Sequence, residues 1–237
     1  MNSISGKRVV ITGATSGIGR CTTIALLKQG AKVAFCGKSK DKMESLLTEA
    51  AAIGNDDYFS KAFDITHEPD IKTFIGEAKQ QLGGIDVLIN CAGLNSARSR
   101  VEDIKIEDMD YMLKVNFVAP LVFIQEVIKD MRTQQTGLVI NVLSTVCLFS
   151  NEGIGAYTAS KAALDSVTKV LRKEVRKDGV RITSIYPGGV NTTFREQDRP
   201  EYLNAEDVKD AILTVISTGN HVAMDDVIIR PIVETNF

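Results

Sequence analysis

The sequence predicts a single α/β domain: a doubly wound, mostly parallel sheet with helices on both faces. Three observations carry that expectation. Short β-branched runs alternate with amphipathic segments of helical length, the pattern of repeated strand–helix–strand units. Small, polar and glycine residues collect after each of the first six runs, at the strand ends where such sheets bind ligands. No Pro/Gly-rich linker, repeat or low-complexity tract divides the 237 residues, so one domain covers 1–237.

The first strand is RVVIT, 8–12. After the turn comes RCTTIALLKQG, where Ile24, Leu27 and Ala31 share a helical face and Gly30 supplies a stop. Gly13, Thr15, Ser16, Gly17, Ile18 and Gly19 therefore sit on a strand-to-helix turn. A turn poor in Cβ atoms lets backbone N–H groups approach an anion, and the helix N-terminus adds partial positive charge. The turn reads as a phosphate cradle, with a tight turn that holds no ligand as the alternative.

The second strand is KVAFC, 32–36, followed by Gly37-Lys38-Ser39-Lys40. A dinucleotide turn that prefers NAD(H) usually has an Asp or Glu about twenty residues on, gripping the ribose 2′-OH. Here Lys38 occupies that place, and Asp41 falls in the first turn of the next helix, where an acidic residue has an ordinary dipole role. Lys38 offers a point charge to a 2′-phosphate, and Ser39 and Lys40 add to it. The expected cofactor is NADP(H), with NAD(H) possible; a solvated lysine at a helix start is the alternative.

YFSKAF, 58–63, leads to Asp64-Ile65-Thr66, and DVLIN, 86–90, to Asn90-Cys91-Ala92-Gly93. GLVINVLS, 137–144, ends on Ser144, and RITSIY, 181–186, leads to Pro187-Gly188-Gly189-Val190-Asn191-Thr192. DVIIR, 226–230, is the last strand. Six polar strand ends in succession describe a long cleft of the kind an extended dinucleotide fills, although loops are rich in Gly, Asn and Asp in any case.

The helical segment GAYTASKAALDSVTKVL carries Tyr157 and Lys161 four apart, on one face. A free phenol has a pKa of about 10 and is a poor acid–base group near neutrality. A nearby ammonium favours the phenolate, and a tuned tyrosine can protonate a carbonyl oxygen or deprotonate an alcohol. Ser144, ending a buried strand, points its hydroxyl into the same cleft. An exposed Tyr–Lys pair is the alternative.

Composition narrows the class. Hydrophobic residues make up 44%, enough for a sizeable core, and the net charge of −2 is dispersed. Nothing suggests a nucleic-acid footprint or a polybasic membrane patch. MNSISGKRVVI lacks the apolar region of a signal peptide. VNFVAPLVFIQEVI is too short to span a bilayer and carries Asn116, Gln125 and Glu126. Cys21, Cys36, Cys91 and Cys147 form no CxxC and are joined only by His67 and His221, so no metal site is expected. Cys36 and Cys91 read as core residues, and a reduced cytoplasmic enzyme fits best.

TGATSGIG at 12–19, NCAG at 90–93, Asn116 in KVNFVAP, Ser144, Tyr157, Lys161 and PGGVNT at 187–192 together resemble the short-chain dehydrogenase/reductase family. The resemblance runs from Ile4 to Thr192 in register; Cys91 departs from it, standing where the family usually has Asn. The resemblance implies hydride transfer between a nicotinamide and the carbonyl carbon of a small substrate. Tyr157 would be the acid–base and Ser144 would orient the substrate oxygen. Lys161 would hold the nicotinamide ribose and lower the Tyr157 pKa, and Asn116 would position water in a relay from Lys161. The glycine turn would hold the phosphates, Lys38 would take the basic place of NADP-users, and Asp64 and Ile65 would contact adenine. Asn90, Ala92 and Gly93 would line the ribose path. Pro187 would belong to the cofactor-binding set, with Val190 and Thr192 on the carboxamide. Ser16 stands where many NADP-users have a second basic residue.

A substrate lid is expected over 193–217, opening with TFREQDRPEYL. The short ending DDVIIRPIVETNF looks more like relatives that reduce small or hydroxy-acid substrates than like acyl-carrier-protein reductases. Arg98, Arg100, Arg195 and Arg199 at the cleft mouth suit a carboxylate ligand, with solvated surface arginines as the alternative. A homodimer or homotetramer would pack through the helices bearing Asn116 and Tyr157. Ala159, Ala162 and Ala163 permit such packing or an internal contact. A non-catalytic redox sensor and a scaffold remain alternatives; the complete tetrad argues against the first, and the lack of charged tails against the second.

Overall fold

The computed structural model describes residues 3–194 and 197–235. Each predicted strand forms. They are Arg8–Thr12 (β1), Lys32–Gly37 (β2), Tyr58–Ala62 (β3), Val87–Asn90 (β4), Gly137–Val142 (β5), Val180–Pro187 (β6) and Asp226–Ile229 (β7). Their spatial order is β3-β2-β1-β4-β5-β6-β7, and every pairing is parallel. The strand order reverses between β1 and β4, which opens a crevice at the carboxyl ends. Val9, Val10 and Ile11 have no exposed surface, because β1 is covered on both faces. That is why such strands read as unbroken apolar runs rather than alternating ones.

The helices are Gly17–Lys28 (α1), Lys40–Ala51 (α2), Glu68–Leu82 (α3), Ile106–Leu113 (α4), Ala119–Thr133 (α5), Gly155–Val175 (α6) and Ala205–Ser217 (α7). On one face of the sheet Leu26 and Leu27 of α1, Leu46 of α2 and Val208 and Ile212 of α7 fill the core. On the other, Phe74 of α3, Phe123 of α5 and Leu164 of α6 do so. A single π-helical turn, Lys114–Val118, joins α4 to α5 and contains Asn116. Pro120 explains the break: it has no N–H to give the Asn116 carbonyl four residues before it. The combined run Ile106–Thr133 is long and apolar enough to span a bilayer by length and composition, but half of an apolar 18-residue stretch within it is buried inside the protein.

Two local expectations shift. The fifth strand ends at Val142 instead of 144, because Ser144 caps a following 3-10 turn by accepting from the Val146 N–H at 3.3 Å. Of the segment 193–217, the second half is α7, a core helix with Val208, Ile212, Val215 and Ile216 buried. Its start is fixed by a capping box: Asn204 Oδ1 accepts from Asp207 N (3.0 Å), and Asp207 Oδ2 from Asn204 N (2.8 Å).

Candidate active site

A cleft of about 900 Å³ runs along the carboxyl ends of the strands, from Lys38 past the glycine turn to Ser144 and Tyr157. Thr12 ties its two halves together. The Thr12 hydroxyl accepts from the backbone N–H groups of Cys91 (3.1 Å) and Ala92 (3.0 Å), so the β1 turn and the β4 loop move as one. The glycines permit that approach. A Cβ on Gly13 would lie 2.7 Å from Ala92 Cα, and one on Gly19 would overlap the Gly13 carbonyl. Ser16 precedes α1 without a side-chain capping bond, and the first turn of α1 has no acidic residue. The leading N–H groups of α1 are therefore open to a ligand anion, which suits a dinucleotide phosphate. Gly19→Ala is expected to destabilise the fold by about 1–3 kcal/mol, the usual cost of overpacking. Calorimetric unfolding of the variant checks it, and an unchanged Tm would show that the turn has slack.

At the end of β2, Lys38 Nζ meets Asp64 Oδ2 at 2.8 Å. The Asp64 carboxylate, with a smaller contribution from Tyr111 of α4, pushes the Lys38 amine up. Burial pushes the Asp64 carboxyl up, but hydrogen bonds from Lys38 and Thr66 outweigh it and bring the group down to about 2. Lys42, in the first turn of α2, also lines the cleft; Lys40 does not. Ser39 is occupied in capping α2, accepting from Lys42 N at 3.3 Å.

At the other end, α6 brings Tyr157 and Lys161 into the cleft opposite Ser144. Lys161 is buried, and its Nζ donates to the Val142 carbonyl at 3.0 Å. Loss of hydration pushes the amine down from its ordinary range. A Cβ on Gly93 would stand 3.1 Å from Lys161 Nζ and 3.2 Å from Asn116 Oδ1, so the β4 loop, the π turn and α6 meet at that glycine. The Asn116 amide uses both of its protons, on Leu94 O (2.8 Å) and Ser160 Oγ (2.9 Å), and accepts from Leu94 N (2.9 Å). Ser160 in turn donates to the Tyr157 carbonyl at 2.7 Å. The Tyr157 ring lies 6.1 Å from that of Phe194.

Most of the sequence-predicted residues line this one cleft: Gly13, Thr15, Ser16, Gly17, Ile18, Gly19, Lys38, Asp64, Ile65, Ala92, Gly93, Ser144, Tyr157, Lys161, Pro187, Val190 and Thr192. Two do not. Asn116 is buried behind Gly93, and Asn90 is buried in the sheet, where its amide donates to Asn141 Oδ1 at 2.9 Å. Asn141 donates onward to Thr168 on α6 at 2.9 Å. Asn90 thus helps seat α6 on the sheet. Of the arginines, Arg98 lines the cleft. Arg100 lies beside Glu102 and Arg199 beside Glu201, and neither lines it; Arg195 lies outside the described residues. The sequence reading missed Lys42, Tyr111, Glu152 and Glu234, which also line it. Lys42 had a usable signal, since it is a second basic residue four positions after Lys38, in the first turn of the next helix; the other three had none.

Comparison with known proteins gives the family. The family model of short chain dehydrogenases matches residues 7–203. An uncharacterized oxidoreductase of Staphylococcus aureus strain MRSA252 is 32% identical over 236 residues, covering 98% of this chain and 100% of the relative. One from Staphylococcus haemolyticus is 31% identical over 235 residues, with the same coverage. Among solved structures, serine dehydrogenase from Escherichia coli superposes with a TM-score of 0.85 at 26% identity, over 96% of this chain and 99% of that one. A metagenomic short-chain oxidoreductase in complex with NADP gives 0.87 at 26% identity, over 98% and 100%. Family match, sheet order and cleft together lead to one conclusion: the chain belongs to the short-chain dehydrogenase/reductase family and is an oxidoreductase of that family.

Proposed function

We propose that this oxidoreductase transfers hydride between NADP(H) and a small carbonyl or secondary alcohol, with Tyr157 as the acid–base. The observation that carries the reading is the meeting of Ser144, Tyr157 and the buried amine of Lys161 in the cleft that holds the glycine turn. The residues fit the cofactor. The turn with Gly13 and Gly19 offers a phosphate cradle, and Lys38 and Lys42, which line the cleft beyond β2, support a 2′-phosphate there. When bound, the cofactor supplies or accepts the hydride at its nicotinamide ring.

The chain's own groups handle the proton. Ser144 Oγ accepts from Val146 N–H, so its own proton is left for the substrate oxygen. Tyr157 gives its phenolic proton to that oxygen in reduction and takes it back in oxidation. Lys161, as a cation one turn along α6, favours the phenolate. The Asn116 side chain is committed to Leu94 and Ser160, which makes it a positioning residue for the Tyr157 turn. Any water relay from Lys161 would use its main-chain carbonyl, which Pro120 leaves without an α-helical partner. Leu94, Val146, Ile154 and Phe194 give the substrate end apolar walls. Among the described arginines near the motifs, Arg98 alone lines the cleft and supports a carboxylate substrate, and Glu152 in the same cleft opposes it. Ile106 of α4, Val118 of the π turn and Val170 of α6 are exposed and apolar, which supports a homo-oligomer packed through those helices.

The deciding assay is NADPH consumption against small ketones, diketones and keto acids. Turnover supports an enzyme; cofactor binding with no turnover on any of them favours a redox sensor. Cofactor choice has its own test. A charge-assisted hydrogen bond is worth roughly 1.5–3 kcal/mol, and about 1.4 kcal/mol is tenfold. Lys38→Asp would also set two carboxylates, residue 38 and Asp64, against a 2′-phosphate. The ratio of kcat/KM for NADPH over NADH is expected to fall by about 10- to 100-fold. A wild type that prefers NADH, or a ratio unmoved by the change, overturns the assignment.

A further inference from the structure

The loop 187–192 carries two adjacent glycines, Gly188 and Gly189, and neither has left-handed backbone. Space explains them. A Cβ on Gly188 would overlap Glu234 Oε2 and stand 3.0 Å from Pro231 Cδ; one on Gly189 would overlap the Tyr202 ring and stand 3.0 Å from Glu234 Oε1. The loop is shaped to receive the segment 230–235. Gly188 N donates to Ile229 O at 2.8 Å, and Gly189 N donates to Glu234 Oε1 at 2.6 Å. The other Glu234 oxygen accepts from Arg230 Nε at 3.3 Å, and the Arg230 guanidinium lies 5.1 Å above the Phe149 ring. Both side chains of the pair are held close to the protein, 15% and 16% exposed. Val233, Glu234 and Thr235 line the same cleft as Ser144 and Tyr157.

We propose that Glu234 is a positioning residue for the nicotinamide end of the site. Its carboxylate holds the Gly188–Gly189 peptide and thereby sets Val190 and Thr192, while the same contact presents Val233 and Thr235 as a wall of the substrate end. A carboxylate on a backbone N–H is a stronger tether than a neutral pair, and it acts across 45 residues of sequence. The inference rests on the reading of this cleft as a nicotinamide-dinucleotide site.

The test compares two probes on the full chain, NADPH and 2′,5′-ADP, which has the adenine end but no nicotinamide. Glu234→Ala is expected to weaken NADPH at least about tenfold, a change of about 1.4 kcal/mol, while 2′,5′-ADP binds as in wild type. Glu234→Gln, which keeps an acceptor oxygen and the side-chain shape, is expected to recover most of the loss. Ile232→Ser, at a fully exposed position of the same segment, is expected to change neither. Equal weakening of both probes would mean a general folding defect and overturn the positioning role. So would NADPH binding unchanged in Glu234→Ala. A wild type that binds neither NADPH nor NADH would instead overturn the cofactor reading beneath it.

Discussion

Tyr157→Phe is expected to lower kcat/KM by about 10²–10⁴, the usual loss when a general acid–base is removed. Cofactor dissociation is expected to change by less than about threefold, under 0.7 kcal/mol. The asymmetry follows from what the substitution removes. The ring is buried and packs against Phe194 at 6.1 Å, and phenylalanine keeps that packing. Ser144 stays at its turn and Lys161 stays on the Val142 carbonyl. What is lost is the hydroxyl, and with it the proton that must travel to the substrate oxygen. Initial rates from NADPH absorbance and a fluorescence titration of cofactor binding separate the two effects. Near wild-type turnover would sink the mechanism.

Lys161→Met is expected to abolish at least as much rate and also to weaken cofactor at least about tenfold, because the amine has two roles. Its effect on stability has the opposite sign. Burying the amine costs hydration, and that loss is what pushes its pKa down. The unfolded chain, where the amine has its ordinary pKa, binds more protons than the folded one between the two values. Stability from this group therefore rises as pH rises through the folded pKa towards 10.5, and the full penalty is present below that window. Methionine fills similar space without the charge, offsetting the lost bond to Val142. The Tm of the cofactor-free variant at neutral pH is expected to equal or exceed wild type, and the gap is expected to narrow in alkali. A fall of more than about 4 °C, roughly 1 kcal/mol for a chain of this size, would mean that the charge is compensated within the fold.

The sequence by itself determined the sheet and the family to which the chain belongs. The seven runs read as strands by length and composition, the central ones because they are apolar throughout and buried on both faces, and each formed within a few residues of its expected place. The turn at 12–19, the Tyr157–Lys161 spacing and Ser144 at a strand end were legible because each is a local pattern with a local cause: a glycine where a Cβ collides, a helical repeat, a cap. What only the tertiary structure decided lies in pairs far apart in the chain. Asn116 meets Leu94 and Ser160 at separations of 22 and 44 residues, which commits its side chain to bracing the Tyr157 turn. Lys38 is paired with Asp64, so its charge is shared before any phosphate arrives. Of three described arginines near the motifs, Arg98 lines the cleft and Arg100 and Arg199 do not. Glu234 reaches back to Gly189. Such contacts depend on strand order and on how helices dock across the sheet. A periodic pattern says which face of an element is buried; which distant side chain stands opposite is set by the packing of elements that the pattern treats one at a time.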